Sequence, residues 1–160
     1  MDEWVTTKAR QAHAASTARV HVCIDDDGDV CALFATSFDS VAAAEVSNTA
    51  ARGRSVLPSL LLARFAVRSD LRGSGLGIAL FHEVIRVCMA IDAGAPISLL
   101  IVDAKNERLA SWYEGLGFAR FKNASLRLYM SAKKVKASYA AAELELELEA
   151  EMDSAVGFSE

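Results

Sequence analysis

The sequence predicts one α/β (α+β) domain, a mixed central sheet flanked by helices. Three observations lead there. The chain has 160 residues and is 52% hydrophobic, enough for a single core and not for two. Strand-like and helix-like runs alternate, above all the apolar run Leu60 to Val67 and the amphipathic run Ile78 to Ala90, whose periods differ as strand and helix do. Between those two runs lies Leu71-Arg72-Gly73-Ser74-Gly75-Leu76-Gly77, a glycine-rich turn carrying the chain from a strand into a helix.

In chain order, a first helix is expected from Asp2 to about Thr17. Arg19 to Ile24 alternates as a strand, and Asp25-Asp26-Asp27-Gly28 is a hairpin turn, Asp-Gly being a strong local cue. It reads as a plain solvated turn, because a calcium loop needs further ligands and a closing Glu. Val30 to Ser37 returns as a strand, and Phe38 to Ser55 reads as loop with at most one short strand. Pro58 precedes the central strand, which ends at Val67. Helices follow at 75–90 and 106–115, strands at 97–102, 118–122 and 126–130, and Lys133 to about Ala142 continues as helix. Residues 143–149 alternate Glu and Leu, a strand pattern written in helix-forming residues. The expectation for 141–160 is an acidic, mobile C-terminal extension to a domain spanning 1–140.

The glycine turn is a phosphate site in outline. Glycine admits backbone angles that other residues resist and lets a ligand come close. The first amides of a helix lack intrahelical partners and sit at its positive end. A Walker loop would end Gly-Lys-Ser/Thr, whereas this one ends Gly-Leu-Gly-Ile. A dinucleotide loop would place its third glycine one residue later and an acidic residue about 20 positions on. What fits is Arg-x-x-Gly-x-Gly, from Arg72 to Gly77.

Downstream, the short buried-strand pattern Ile97 to Val102 precedes Asn106-Glu-Arg-Leu-Ala-Ser-Trp-Tyr113-Glu-Gly-Leu-Gly-Phe118. This segment resembles the second signature of the GNAT acetyltransferases, and the Arg-x-x-Gly-x-Gly loop resembles the first. Leu57 to Val67, Val102-Asp103-Ala104, Ser125 to Met130 and Asp2-Glu3-Trp4 look like the TacT-like toxins within that family. The resemblance covers roughly residues 2–136. The chain is expected to depart from the group in two ways, in the first strand that usually precedes Asp2 and in its acidic extension.

The resemblance implies the GNAT fold, with splayed strands, and acetyl-CoA as donor. Backbone amides of Arg72, Gly73, Ser74, Gly75, Leu76 and Gly77 would hold the pyrophosphate. The strand ending Phe65-Ala66-Val67 would pair with the pantetheine arm. Asn106 would hydrogen-bond the arm or cap the next helix, two roles that stand equal. Tyr113 would be the general acid, a phenol protonated at neutral pH and able to donate to the leaving sulfur; Trp112 and Phe118 read as core. Glu114 and Asp103 are candidate bases. An α-amine, with a pKa of about 7.7–8.0, needs a base less than a lysine does. The acceptor implied is the α-amino group of aminoacyl-tRNA, with translation blocked as the result. Implied partners are charged tRNA, a ribbon-helix-helix antitoxin and, as often in the group, a second copy of the chain. Acetylation of a protein N-terminus or small amine, or CoA binding without turnover, are the alternatives.

The net charge of −4 is unevenly spread. All 17 Lys and Arg lie at or before Lys136, and 7 of the 21 acidic residues lie after Ala140, leaving the first 140 residues at +3. Arg52, Arg54 and Arg64 are candidates to meet a polyanionic substrate. Cys23, Cys31 and Cys88 are odd in number and lack ligand spacing with His13, His21 or His82, so no metal is expected and a reducing, cytoplasmic setting is. No apolar run reaches the length of a membrane span.

Overall fold

A computed structural model describes residues 7–156; the Asp2-Glu3-Trp4 match and the question of a strand before it lie outside them. The elements are α1 (Ala9–Ala14), β1 (Arg19–Ile24), β2 (Val30–Ala42), α2 (Asn48–Ala51), β3 (Val56–Val67), α3 (Leu76–Gly94), β4 (Leu99–Asp103), α4 (Glu107–Gly115), β5 (Ala119–Phe121), β6 (Ala124–Ser131) and α5 (Ala132–Val156). The strands form one mixed sheet in the order β1-β2-β3-β4-β6-β5. β3 and β4 run parallel, and the other neighbours are antiparallel. The α/β expectation holds, and α3 supplies the crossover that a parallel pair requires.

One core lies on the sheet face covered by α3, with Phe34, Leu60, Leu62, Leu100, Leu128 and Met130 meeting Phe81, Val84 and Cys88. A smaller one on the other face joins Val41, Val46, Leu57, Ile101, Phe121 and Tyr129.

Two stretches differ from the sequence expectation. Phe38 to Ser55 is not mainly loop. β2 continues to Ala42 because β3 begins early, at Val56, and offers partners: Val41 pairs with Leu57 and Ala42 with Val56. A 3-10 turn (Ala43–Glu45) and α2 fill the rest. Pro58 therefore lies within β3, not before it. Its carbonyl accepts from the Ser98 amide at 2.7 Å, so its missing N–H faces the β4 side, where pairing starts only at Ser59.

The alternating Glu/Leu segment is helical. It continues α5, which runs unbroken from Ala132 to Val156. Val135 is buried against the core, while Leu144 and Leu148 are exposed. Helix propensity outweighs alternation where no neighbouring strand pairs.

Candidate active site

The sheet opens at β3. Pairing with β4 runs from Ser59↔Leu99 to Leu62↔Val102 and stops, yet β3 continues to Val67. From Ala63 onward, β3 keeps its β2 neighbour but has lost the β4 one. One backbone edge of this stretch is left for a ligand to pair with.

A bulge marks the parting. Opposite Ala35 and Thr36, β3 moves from Arg64 to Leu62, leaving Ala63 as the extra residue. An inserted residue flips the alternation of all that follows. Phe65 and Val67 therefore join Leu60 and Leu62 against the α3-side core, while Arg64 is exposed. Without the bulge, Arg64 would point into the core.

The glycine turn lies just past β3. After a 3-10 turn (Ser69–Leu71), Gly73 and Gly75 have φ of +82° and +88°, the left-handed region that glycine enters without strain. Gly75 caps α3, its carbonyl accepting from the Ile78 and Ala79 amides at 2.9 and 3.2 Å. The Ser74 hydroxyl donates to the Leu71 carbonyl at 2.7 Å, which folds the turn. Among the described residues, the amides of Gly73, Gly75 and Gly77 have no hydrogen-bond partner. These donors, exposed at Gly73 and Gly75 and half-buried at Gly77, stand at the start of a 19-residue helix and fit a diphosphate. A Cβ on Gly77 would meet only Trp112, at 4.0 Å, so the fold itself does not demand glycine there.

Arg68 ties this turn to the β1–β2 hairpin. It donates to Asp25 at 2.7 Å and to Asp70 at 2.9 and 3.1 Å. The Asp25 turn is thus not merely solvated. The sequence carried no signal for this link, because Asp25 and Arg68 are 43 residues apart.

An aromatic wall faces the open stretch of β3. Trp112 lies 5.8 Å from Phe65 and 6.4 Å from Phe81 between ring centroids. Tyr113 lies 6.5 Å from Phe65, edge-on. Trp112 is only partly buried and stands between the β3 stretch and the first turn of α3. The sequence reading of Trp112 as core agrees with its packing against the α3-side core, and only its adjacency to Tyr113 could have suggested its place beside the open stretch.

The Tyr-Glu-x-x-Gly-Phe segment is a helix terminator that fixes Tyr113. The Gly117 amide donates to the Glu114 carbonyl at 2.9 Å and the Phe118 amide to the Tyr113 carbonyl at 3.1 Å. Gly117 has φ of +100°. This is a Schellman ending, and its usual apolar contact is the Tyr113–Phe118 ring pair at 5.4 Å. Tyr113 is 5% exposed, and burial pushes its phenol above the ordinary value, keeping it protonated. Its oxygen is not among the sealed, unpartnered polar atoms.

The other expected residues are placed as follows. Asn106 caps α4, its Oδ1 accepting from the Leu109 amide at 3.0 Å; its side-chain NH₂ is left over. Glu114 is held by Arg120 at 2.9 Å, which also holds Glu107. That bond keeps the Glu114 carboxyl below its usual range, making it a poor base. Arg72 is exposed beside the turn. Arg52 and Arg54 lie before β3, at the opposite end from the glycine turn. They line a pocket of about 380 Å³ with Asp92, Ser98 and Lys136. Arg64 is near the bulge, so the fold separates the three arginines that the sequence grouped.

Residues 4–118 match the model of the acetyltransferase (GNAT) family. The chain belongs to the GNAT acetyltransferase family. It is by family an N-acetyltransferase with acetyl-CoA as donor, and the parted β3–β4 pair is the splayed sheet expected of a GNAT fold. Solved structures share that fold at low identity. AtaT complexed with acetyl-methionyl-tRNAfMet is 20% identical, with TM-score 0.78, over 85% of this chain and 84% of that one. A tyrosine-to-phenylalanine mutant of KacT is 21% identical, with TM-score 0.78, over 84% and 82%. AtaTR bound with AcCoA is 19% identical, with TM-score 0.72, over 85% and 83%. No helix among the described residues is long and apolar enough to cross a membrane.

Proposed function

We propose that this GNAT enzyme acetylates the α-amino group of aminoacyl-tRNA and so blocks translation, as a toxin held in check by an antitoxin. The observation carrying this is the open β3 stretch with Tyr113 set edge-on to Phe65 within it. Acetyl-CoA supplies an activated thioester. The amides of Gly73, Gly75 and Gly77 bind its diphosphate, with Arg72 adding charge beside them. The free edge of Phe65-Ala66-Val67 aligns the pantetheine arm, and the Asn106 NH₂ meets it from the start of α4. Trp112 screens the arm from water. Tyr113 holds its proton toward the leaving sulfur.

Several observations support the acceptor. Glu114 is spent on Arg120, and an α-amine is partly unprotonated near neutral pH without a strong base. The AtaT structure holds acetyl-methionyl-tRNA. Arg64 near the bulge and Arg52 and Arg54 at the far end of β3 offer charge to a long polyanion. A further AtaT structure is bound to the C-terminus of the antitoxin AtaR, which supports an antitoxin partner here, of ribbon-helix-helix type in our reading. A homodimer belongs to the same reading.

The test is incubation with labelled acetyl-CoA and bulk charged tRNA. Label on the aminoacyl group is the expected result. Label only on peptides or small amines, or binding without turnover, would replace the proposal with one of the two alternatives.

A further inference from the structure

α4 carries three residues of the proposed site: Asn106 at its cap, and Trp112 and Tyr113 near its end. Its own hold on the sheet is slight. It has nine residues, of which only Ala110 and Tyr113 are buried, with Trp112 partly buried beside them. A helix of that length does not keep its place alone. One side chain from β5 secures both of its ends. Arg120 donates from Nε and Nη2 to the two Glu114 oxygens at 2.9 and 3.0 Å, and from Nη1 and Nη2 to the two Glu107 oxygens at 3.2 and 2.8 Å. A planar guanidinium bonded to both oxygens of two carboxylates is the fork geometry in which partly exposed pairs do hold.

Glu107 follows Asn106, and Glu114 follows Tyr113. Arg120 therefore holds the chain neighbours of two site residues at once. It pairs with Leu128 in the β5–β6 hairpin, so both ends of α4 are tied to the sheet. A second cation holds the turn that stops the helix: Lys134 of α5 donates from Nζ to the Gly117 carbonyl at 3.0 Å. β5 is the edge strand, with β6 and β4 between it and β3. Arg120 thus reaches the open β3 stretch through α4.

We infer that Arg120 is a positioning residue for acetyl transfer, setting α4 so that the Tyr113 phenol meets the leaving sulfur beside the open β3 stretch. The inference rests on the proposed role of Tyr113 and names what holds that group in place. Glu107 and Glu114 are the other half of the device. Without Arg120, two carboxylates gathered at one cation face each other and repel, which pushes the ends of α4 away from β5.

Arg120→Gln should lower kcat about tenfold, a modest share of what misplacing a reacting group costs. The Kd for acetyl-CoA, set mainly at the glycine turn, should shift less than kcat does. Arg120→Lys keeps the charge without the fork and should recover only part of the loss. The deciding comparison is made in Tyr113→Phe. There Arg120→Gln should lower kcat no further, because the group it positions is gone. Losses that multiply in the double variant, or wild-type kcat in Arg120→Gln, would overturn the inference. Tyr113→Phe by itself judges the reading beneath. Wild-type turnover in that single variant removes Tyr113 from the chemistry and the positioning role with it, whereas a loss there with multiplying effects strikes Arg120 alone. If Arg120→Gln does not fold, Glu107→Gln combined with Glu114→Gln loosens the same contact without leaving like charges, and the same cycle decides. Turnover is followed on whichever acceptor the wild type labels, so the acceptor's identity does not enter.

Discussion

Arg68 Nη1 and Asp25 Oδ2 meet at 2.7 Å, so a single guanidinium joins the β1–β2 hairpin to the turn that precedes the glycines. The same group reaches Asp70, so both carboxyls sit below their ordinary range, chiefly through the Arg68 hydrogen bond. A carboxyl with a depressed folded value stabilises above its unfolded pKa of about 3.9 and loses that contribution as pH falls through the folded value. Urea midpoints taken from pH 7 down to pH 3 should fall for wild type and fall less steeply for Arg68→Ala. Parallel curves would mean the pairs add nothing at these solvent-screened positions.

Gly75 and Gly77 should part company on substitution. Gly75→Ala forces a side chain into the left-handed region at a cost of about 1 kcal/mol. Gly77 lies within α3 without positive φ, so Gly77→Ala should stabilise by about 0.5–1 kcal/mol through helix propensity. Thermal melts of the two variants read the opposite signs directly.

Tyr113→Phe should lower turnover about a hundredfold, the lower end for a lost general acid, with little change in acetyl-CoA affinity. Equal rates would remove Tyr113 from the chemistry. Because burial raises the phenol, no alkaline loss of rate from its ionisation should appear below pH of about 10.

The cap at Asn106 is separable from any ligand role. Asn106→Ala should cost about 1 kcal/mol of stability, while Asn106→Asp keeps the capping oxygen. If the NH₂ also meets the cofactor, Asn106→Asp weakens acetyl-CoA binding without lowering Tm; unaltered binding in that variant would leave capping as its role.

The acidic extension offers a last test. Deleting 141–160 should tighten RNA binding at low salt if its carboxylates compete with a polyanion, and the gain should fade as salt rises. Equal affinity at low salt would dismiss that competition.

Much of this was legible in the sequence because it depends on neighbours along the chain. The turn at Gly73 and Gly75 follows from glycine's freedom at positive φ. The cap at Asn106 and the stop at Gly117 are satisfied within a few residues of each. Apolar runs gave β3 and the short β4, an amphipathic run gave α3, and the two signatures together gave the family. The tertiary structure alone decided what depends on partners distant in sequence. β2 ran on to Ala42 because β3 was there to pair with it, against the local look of a loop. The bulge at Ala63 set which of Arg64 and Phe65 faces the core, which register determines and composition does not. Arg68 found Asp25, and Arg127 found Asp39, across 43 and 88 positions. The arginines close in sequence ended on opposite ends of one long strand. Short-range geometry is encoded where it acts; long-range ion pairs and strand register exist only once the sheet has brought their members together.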